Sequence, residues 1–266
     1  MKILVIQNKV FQNINETLSG ILNLIHKVES NNIDIIVLPE MFTTPYELDY
    51  MEKYRQTKAS KILTFLRDLS IKYNAYLIGG SIPYLESNKT FNSTFIFNRD
   101  GTIMERYDKI HLFEITYPNG QYFNEAELLS KGNRVVTFDT DFGRIGVMIC
   151  FDIRFPLLAN SIMEKGAKAI FVPAAFNTYT GPLHWRTTFR ARAIDNQLFM
   201  IGCSPSRDSF GSYNVYGHSL LVNPFGEVIN ELNERQGYFV IDVDLDDVQK
   251  ARDRIPILKN RVEIKN

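Results

Sequence analysis

Short apolar runs alternate with longer amphipathic stretches along this chain, and the same order of runs occurs twice. No other feature constrains the fold as much. Brief Val, Ile, Leu and Phe runs read as strands buried on both faces, and their alternation with helical patterns reads as an α/β protein. In the first copy, residues 3–6 predict a strand. Leu18, Ile21, Leu22, Ile25 and Val28 then share one helical face, with Asn13 and Glu16 spaced as a capping box. Residues 33–38 predict a second strand running into Pro39 and Glu40, and Ile62, Phe65, Leu66 and Leu69 mark a second helix. Strands at 76–78 and 94–97 follow, closed by the turn Asn98-Arg99-Asp100-Gly101.

The second copy repeats this order. A strand at 145–149 ends on Cys150, and a helix begins near Pro156, a good first-turn residue. A strand at 169–172 ends on Pro173, a helix covers 185–194, and a strand at 198–201 ends at Gly202 and Cys203. Residues 219–222 then lead into the turn Asn223-Pro224-Phe225-Gly226. Each strand-helix-strand-helix-strand-strand unit alone would leave one sheet face bare, whereas two sheets packed together cover both. No Pro/Gly/Ser-rich linker divides the copies, so residues 1–266 are expected to form one domain.

Composition narrows the partners. Lys plus Arg and Asp plus Glu both number 30, so no broad field draws the chain onto nucleic acid or an anionic membrane. No apolar run approaches the ~18 residues of a membrane span, and the apolar start is too short for a signal-peptide core. Cys150 and Cys203 are the only cysteines. They make no disulfide framework, which fits a reducing cytoplasm.

Phosphate-cradling glycine loops are absent. His26, His111, His184 and His218 are scattered, so no metal site is expected. Gly217-His218-Ser219 resembles half a nucleophile elbow, but Leu221 stands where the second glycine belongs. Cys150 closes an apolar strand just before a turn into a helix, which would aim its thiol out of the sheet's carboxyl end. Cys203 also ends an apolar run, and either thiol could simply pack there. Glu40 is an unexpected carboxylate at the end of an apolar strand, either a loop-mouth cap or a functional acid. Lys109 lies among bulky apolar residues, where most lysines snorkel to solvent. A carboxylate, an ammonium and a thiol could supply a base, an oxyanion partner and a nucleophile. They lie 69 and 41 positions apart, and spacing alone does not bring them together.

Three segments carry a resemblance: Leu38-Pro39-Glu40-Met41-Phe42, Tyr107-Asp108-Lys109-Ile110-His111-Leu112-Phe113 and Gly146-Val147-Met148-Ile149-Cys150-Phe151-Asp152-Ile153-Arg154-Phe155-Pro156. In this order they resemble the nitrilase superfamily of carbon–nitrogen hydrolases. Further segments resemble its omega-amidase branch: Gly79-Gly80-Ser81-Ile82-Pro83, Pro173 through Trp185, Arg192 through Gln197, Ser204 through Asp208, Tyr216 through Ser219, Asn223 through Val228, and Arg254-Ile255-Pro256. The resemblance implies an αββα four-layer sandwich of two mixed sheets, in agreement with the duplication, and association as a homodimer or larger homo-oligomer.

It also implies roles. Glu40 resembles the general base, Cys150 the nucleophile, and Lys109 with the backbone N–H of Phe151 the oxyanion holders. Glu125, which by itself reads as a surface acid, matches a second family glutamate that orients the amide. No metal or cofactor is implied. An omega-amidase removes ammonia from the side-chain amide of a 2-oxo acid, so a carboxylate must also be held. Arg154 suits that task; its alternative is a salt bridge at the helix start, with Asp152. Phe176 and Thr180 match pocket positions, an apolar wall and a hydroxyl donor. Phe151 stands where a Tyr often follows the nucleophile, and Met41 is a second variation at the pocket. Other amidases of the superfamily, acting on deaminated glutathione or N-carbamoyl compounds, are the nearest rivals, and a non-catalytic scaffold is a rival from another class.

Overall fold

Along the first strand, β1 (Lys2–Gln7), the buried side chains alternate between two cores, and this sets the layering. Ile3 and Val5 enter one hydrophobic core and Leu4 and Ile6 another, as the two-residue period of a strand requires. The computed structural model describes residues 1–29 and 32–262, taking residues 56 and 57 by backbone only. The last four positions of the expected 1–266 unit lie outside the described residues.

After β1 come α1 (Ile14–His26), β2 (Ile35–Val37), α2 (Leu48–Thr57), α3 (Ala59–Tyr73) and β3 (Tyr76–Ile78). Next are β4 (Ile82–Glu86), β5 (Lys89–Phe97), β6 (Ile103–Asp108), and a small hairpin of β7 (Glu114–Thr116) and β8 (Tyr122–Asn124). The second copy runs through β9 (Thr137–Thr140), β10 (Gly143–Val147), α4 (Pro156–Glu164), β11 (Ala169–Pro173), α5 (Gly181–Asn196) and β12 (Phe199–Cys203). It ends with β13 (Leu220–Val222), β14 (Val228–Glu231), β15 (Gly237–Asp242) and α6 (Asp247–Arg254).

Strand pairing makes the duplication visible. β1, β2 and β3 are parallel neighbours in one sheet, and β10, β11 and β12 are parallel neighbours in the other. Each trio continues into antiparallel strands, β5 and β6 in the first sheet, β13 and β14 in the second. Each also gains an antiparallel strand beside its first member, β15 against β1 and β9 against β10. Both sheets are therefore mixed, and the αββα expectation holds. Ile3, Val5, Ile35 and Val37 meet Val147 and Phe171 between the sheets. α1 and α3 cover the outer face of the first sheet through Ile21, Ile25, Ile62 and Leu66. α4 and α5 cover the second through Ile162, Trp185 and Phe189. Gly146 lets α4 lie directly on β10, since a Cβ there would collide with Ile162.

Several local readings shift. Asn13 caps α1 by accepting from Asn15 N–H, but Glu16 does not return the bond of a capping box. The ladder of β10 stops at Val147, although the apolar run continues through Met148 and Ile149. α5 starts earlier than expected, at Gly181 with Pro182 in its first turn. α2 is an additional helix that the sequence reading does not include, with Met51 and Tyr54 on its buried side. Among the described residues, no helix is long and apolar enough to cross a membrane.

Candidate active site

The parallel strands of both sheets end on one side, and the chemistry-bearing residues sit just beyond them. Glu40 follows β2 by a short turn, and the next residue, Met41, adopts a left-handed φ of 48° while its N–H donates to Ser81 Oγ at 3.1 Å. Lys109 follows β6, its N–H bonded to Asn92 O. Cys150 also has φ 48° and opens a 3-10 turn, Cys150–Arg154, that leads into α4. Left-handed backbone at non-glycine residues costs free energy and tends to be held where function needs it.

Lys109, expected by default to reach solvent, is instead fully buried with Glu40 and Glu125. Its Nζ lies 2.9 Å from Glu40 Oε1 and 2.9 Å from Glu125 Oε2. Glu125 is no surface acid. It also accepts from Tyr46 OH at 2.7 Å and from Phe113 N–H at 2.7 Å. Glu40 accepts from Asn92 Nδ2 and from Ala175 N–H, both at 2.8 Å. The Ala175 contact joins a residue of the first copy to the second.

Burial raises Glu40 above the usual carboxylate range, Lys109 opposes the rise and Glu125 adds to it. Burial works against the charge of Lys109, but Glu125 and Glu40 outweigh it and raise its affinity for the proton. Cys150 is pushed well above the ordinary thiol range, first by burial and then by Glu40, while Lys109 pulls the other way. Burial and Glu40 thus both favour the thiol form of Cys150 over the thiolate.

Asp152 binds the Cys150 turn to the Lys109 segment. It accepts from Ile149 N–H at 3.1 Å, Tyr107 OH at 2.7 Å and His111 N–H at 2.9 Å, and its Oδ1 lies 2.8 Å from His111 Nδ1. Tyr107 and His111 flank Lys109 two positions away on either side. The N–H of Phe151 has no hydrogen-bond partner among the described residues. Its ring packs edgewise on Phe113 and Phe155.

Cys150, Phe151, Arg154, Phe176 and Thr180 all line one small pocket, together with Phe113, Ala175, Asn177 and Tyr213. Tyr213 and Asn177 also border a wider cleft that opens outward. The Arg154–Asp152 salt bridge considered from sequence does not form, because Asp152 is occupied by Ile149, Tyr107 and His111. Arg154 makes no ion pair among the described residues and lies over the Phe176 ring at 4.7 Å. The Thr180 hydroxyl donates to Asn177 Oδ1 at 3.0 Å. Cys203 is a packing residue, its thiol donating to Ile6 O and Val37 O across the sheet interface. Ser219, buried between Gln7 and Ser204, is likewise structural.

A family model described as carbon–nitrogen hydrolase matches residues 3–253. The chain belongs to the carbon–nitrogen hydrolase family. It is 41% identical over 239 residues to the omega-amidase NIT3 of Saccharomyces cerevisiae, covering 88% of this chain and 82% of that one. It is 37% identical over 239 residues to the omega-amidase NIT2 of Homo sapiens, covering 90% and 87%. A crystal structure of Saccharomyces cerevisiae Nit3, described as a member of branch 10 of the nitrilase superfamily, superposes with a TM-score of 0.89 at 36% identity. That alignment covers 98% of this chain and 96% of that one.

As a carbon–nitrogen hydrolase, the chain cleaves amides with water, and the buried cluster has the groups such a reaction asks for. Sequence reasoning missed four of its supports. Tyr46 holds Glu125 from a loop without periodicity, and Ala175 contributes only its backbone N–H. Asp152 reads from sequence only as a salt-bridge partner of Arg154. His184, 2.8 Å from Arg154 Nη1, has no role of its own in the sequence reading.

Proposed function

We propose that this carbon–nitrogen hydrolase removes ammonia from the side-chain amide of a small 2-oxo acid, such as 2-oxoglutaramate or 2-oxosuccinamate, leaving the dicarboxylate. One observation carries the reading. A small pocket is lined by a buried thiol, which Glu40 contacts from behind, and by a guanidinium with no ion-pair partner among the described residues. An amide that also bears a carboxylate matches both groups. The omega-amidase names of the yeast and human relatives support the same substrate class.

In this reading Glu40 takes the Cys150 proton as sulfur attacks the amide carbon, since a raised thiol supplies little thiolate by itself. Lys109 and the Phe151 N–H hold the oxyanion, each donor worth roughly 10²–10³ in rate. Glu40 returns the proton to the departing nitrogen, ammonia leaves, and a thioester remains. Glu40 then deprotonates water, which attacks the thioester and releases the acid and the thiol. Glu125 steers the amide and keeps Lys109 charged. Arg154 binds the far carboxylate, with Phe176 as an apolar wall and Thr180 as a hydroxyl donor. These steps use protein groups and water alone.

The same proposal takes residues 1–266 as one working unit in the cytoplasm. It associates as a homodimer or larger homo-oligomer through the outer helices, where Leu157 and Leu183 are 76% and 71% exposed. Ammonia release from 2-oxoglutaramate tests the chemistry, with a chelator present and Cys150→Ala alongside. Turnover by the wild type and none by Cys150→Ala is expected. Turnover that survives the substitution would overturn the nucleophile assignment, and preference for deaminated glutathione or an N-carbamoyl compound would overturn the substrate class.

A further inference from the structure

We propose that His184 is the positioning residue that decides which edge of Arg154 meets the substrate's carboxylate, and thereby sets selectivity for acidic over neutral amides. The proposal rests on the omega-amide reading above. Arg154 Nη1 donates to His184 Nδ1 at 2.8 Å, so the imidazole acts as an acceptor and carries its proton on Nε2. No other hydrogen bond or ion pair reaches the Arg154 side chain among the described residues. Its Nε–Nη2 edge, the side that pairs a carboxylate through two parallel bonds, is left uncommitted.

The guanidinium is also fixed in its plane. Its Cζ lies 4.7 Å from the Phe176 ring centre and 5.7 Å from that of Phe151. Phe176 in turn packs edgewise on Trp185, the residue after His184. His184 itself is held in the first turn of α5, its N–H bonded to Thr180 O. One short stretch of α5 thus supports both the face and the end of Arg154. Burial and the neighbouring Arg154 lower the basicity of His184, which favours the neutral acceptor form. Without the imidazole, Nη1 would rotate to seek another acceptor, and the fork would lose its fixed aim at the pocket.

The test measures kcat and KM for 2-oxoglutaramate and for the uncharged amide butyramide, and calorimetric binding of 2-oxoglutarate, in wild type, His184→Leu, His184→Ala and His184→Asn. Removing the acceptor is expected to raise KM for 2-oxoglutaramate and weaken 2-oxoglutarate binding by roughly ten- to hundred-fold, with kcat changing far less. The neutral amide should show no such rise. Asn, whose Oδ1 can replace Nδ1 as acceptor, should restore most of the affinity. Equal 2-oxoglutarate binding by wild type, Leu and Ala proteins would overturn the inference, as would an Asn variant no better than Leu. A wild type that binds 2-oxoglutarate but does not turn over 2-oxoglutaramate would instead overturn the omega-amide reading and leave the role of His184 standing.

Discussion

Lys109 keeps an ammonium in a place where an isolated charge would be very costly, and does so because two carboxylates bracket it. That arrangement governs its neighbour. With burial and Glu40 both opposing ionisation, Cys150 should show no thiolate near neutral pH, unlike cysteines activated by a standing positive charge. In a Cys203→Ala background, ultraviolet absorbance should reveal the Cys150 thiolate only above the ordinary thiol range near about 8.5. Glu40→Gln removes the second largest cause of the rise and should move that midpoint down. A midpoint in wild type at or below the ordinary value would sink the thiol–base picture. Glu40, Lys109 and Cys150 were legible because each stands in a contiguous motif. Tyr46 and the Ala175 N–H were not, because their work is done across 79 and 135 positions of chain and leaves no local pattern.

The turn that carries Cys150 is held by one carboxylate. Asp152 accepts from three protein donors, besides its contact with His111 Nδ1, and so ties the end of β10 to the segment beyond β6. Asp152→Asn puts an NH₂ group where donors already converge, leaving at least one of them unpaired. The expected cost is about 1–3 kcal/mol in chemical denaturation, with kcat falling more than KM rises because Lys109 and Cys150 lose their mutual register. Unchanged kcat in a destabilised protein would reduce Asp152 to a purely structural part. This element shows where periodicity runs out. The apolar run to Ile149 reads as strand, yet pairing with the neighbouring strands ends at Val147. Hydrophobicity reports burial, and Met148 and Ile149 are buried without being in the ladder.

Between the two sheets, Cys203 reaches from β12 to carbonyls of β1 and β2. Cys203→Ala should therefore lower stability by roughly 1–2 kcal/mol through lost packing and a lost donor, read as a lower unfolding midpoint, while ammonia release persists. Loss of turnover in a protein that remains folded would place Cys203 in the chemistry after all. The duplicated plan could be read from local runs alone. The closure of the first sheet could not, because β15 pairs with β1 from the far end of the chain, Lys2 opposite Asp242. Glu40 and Lys109 come from one copy and Cys150 from the other, and Ala175 N–H of the second copy grips Glu40 of the first. Turnover is consequently a gauge of docking. A slip between the sheets could leave every strand ladder and helix intact, invisible to circular dichroism, and still extinguish the enzyme.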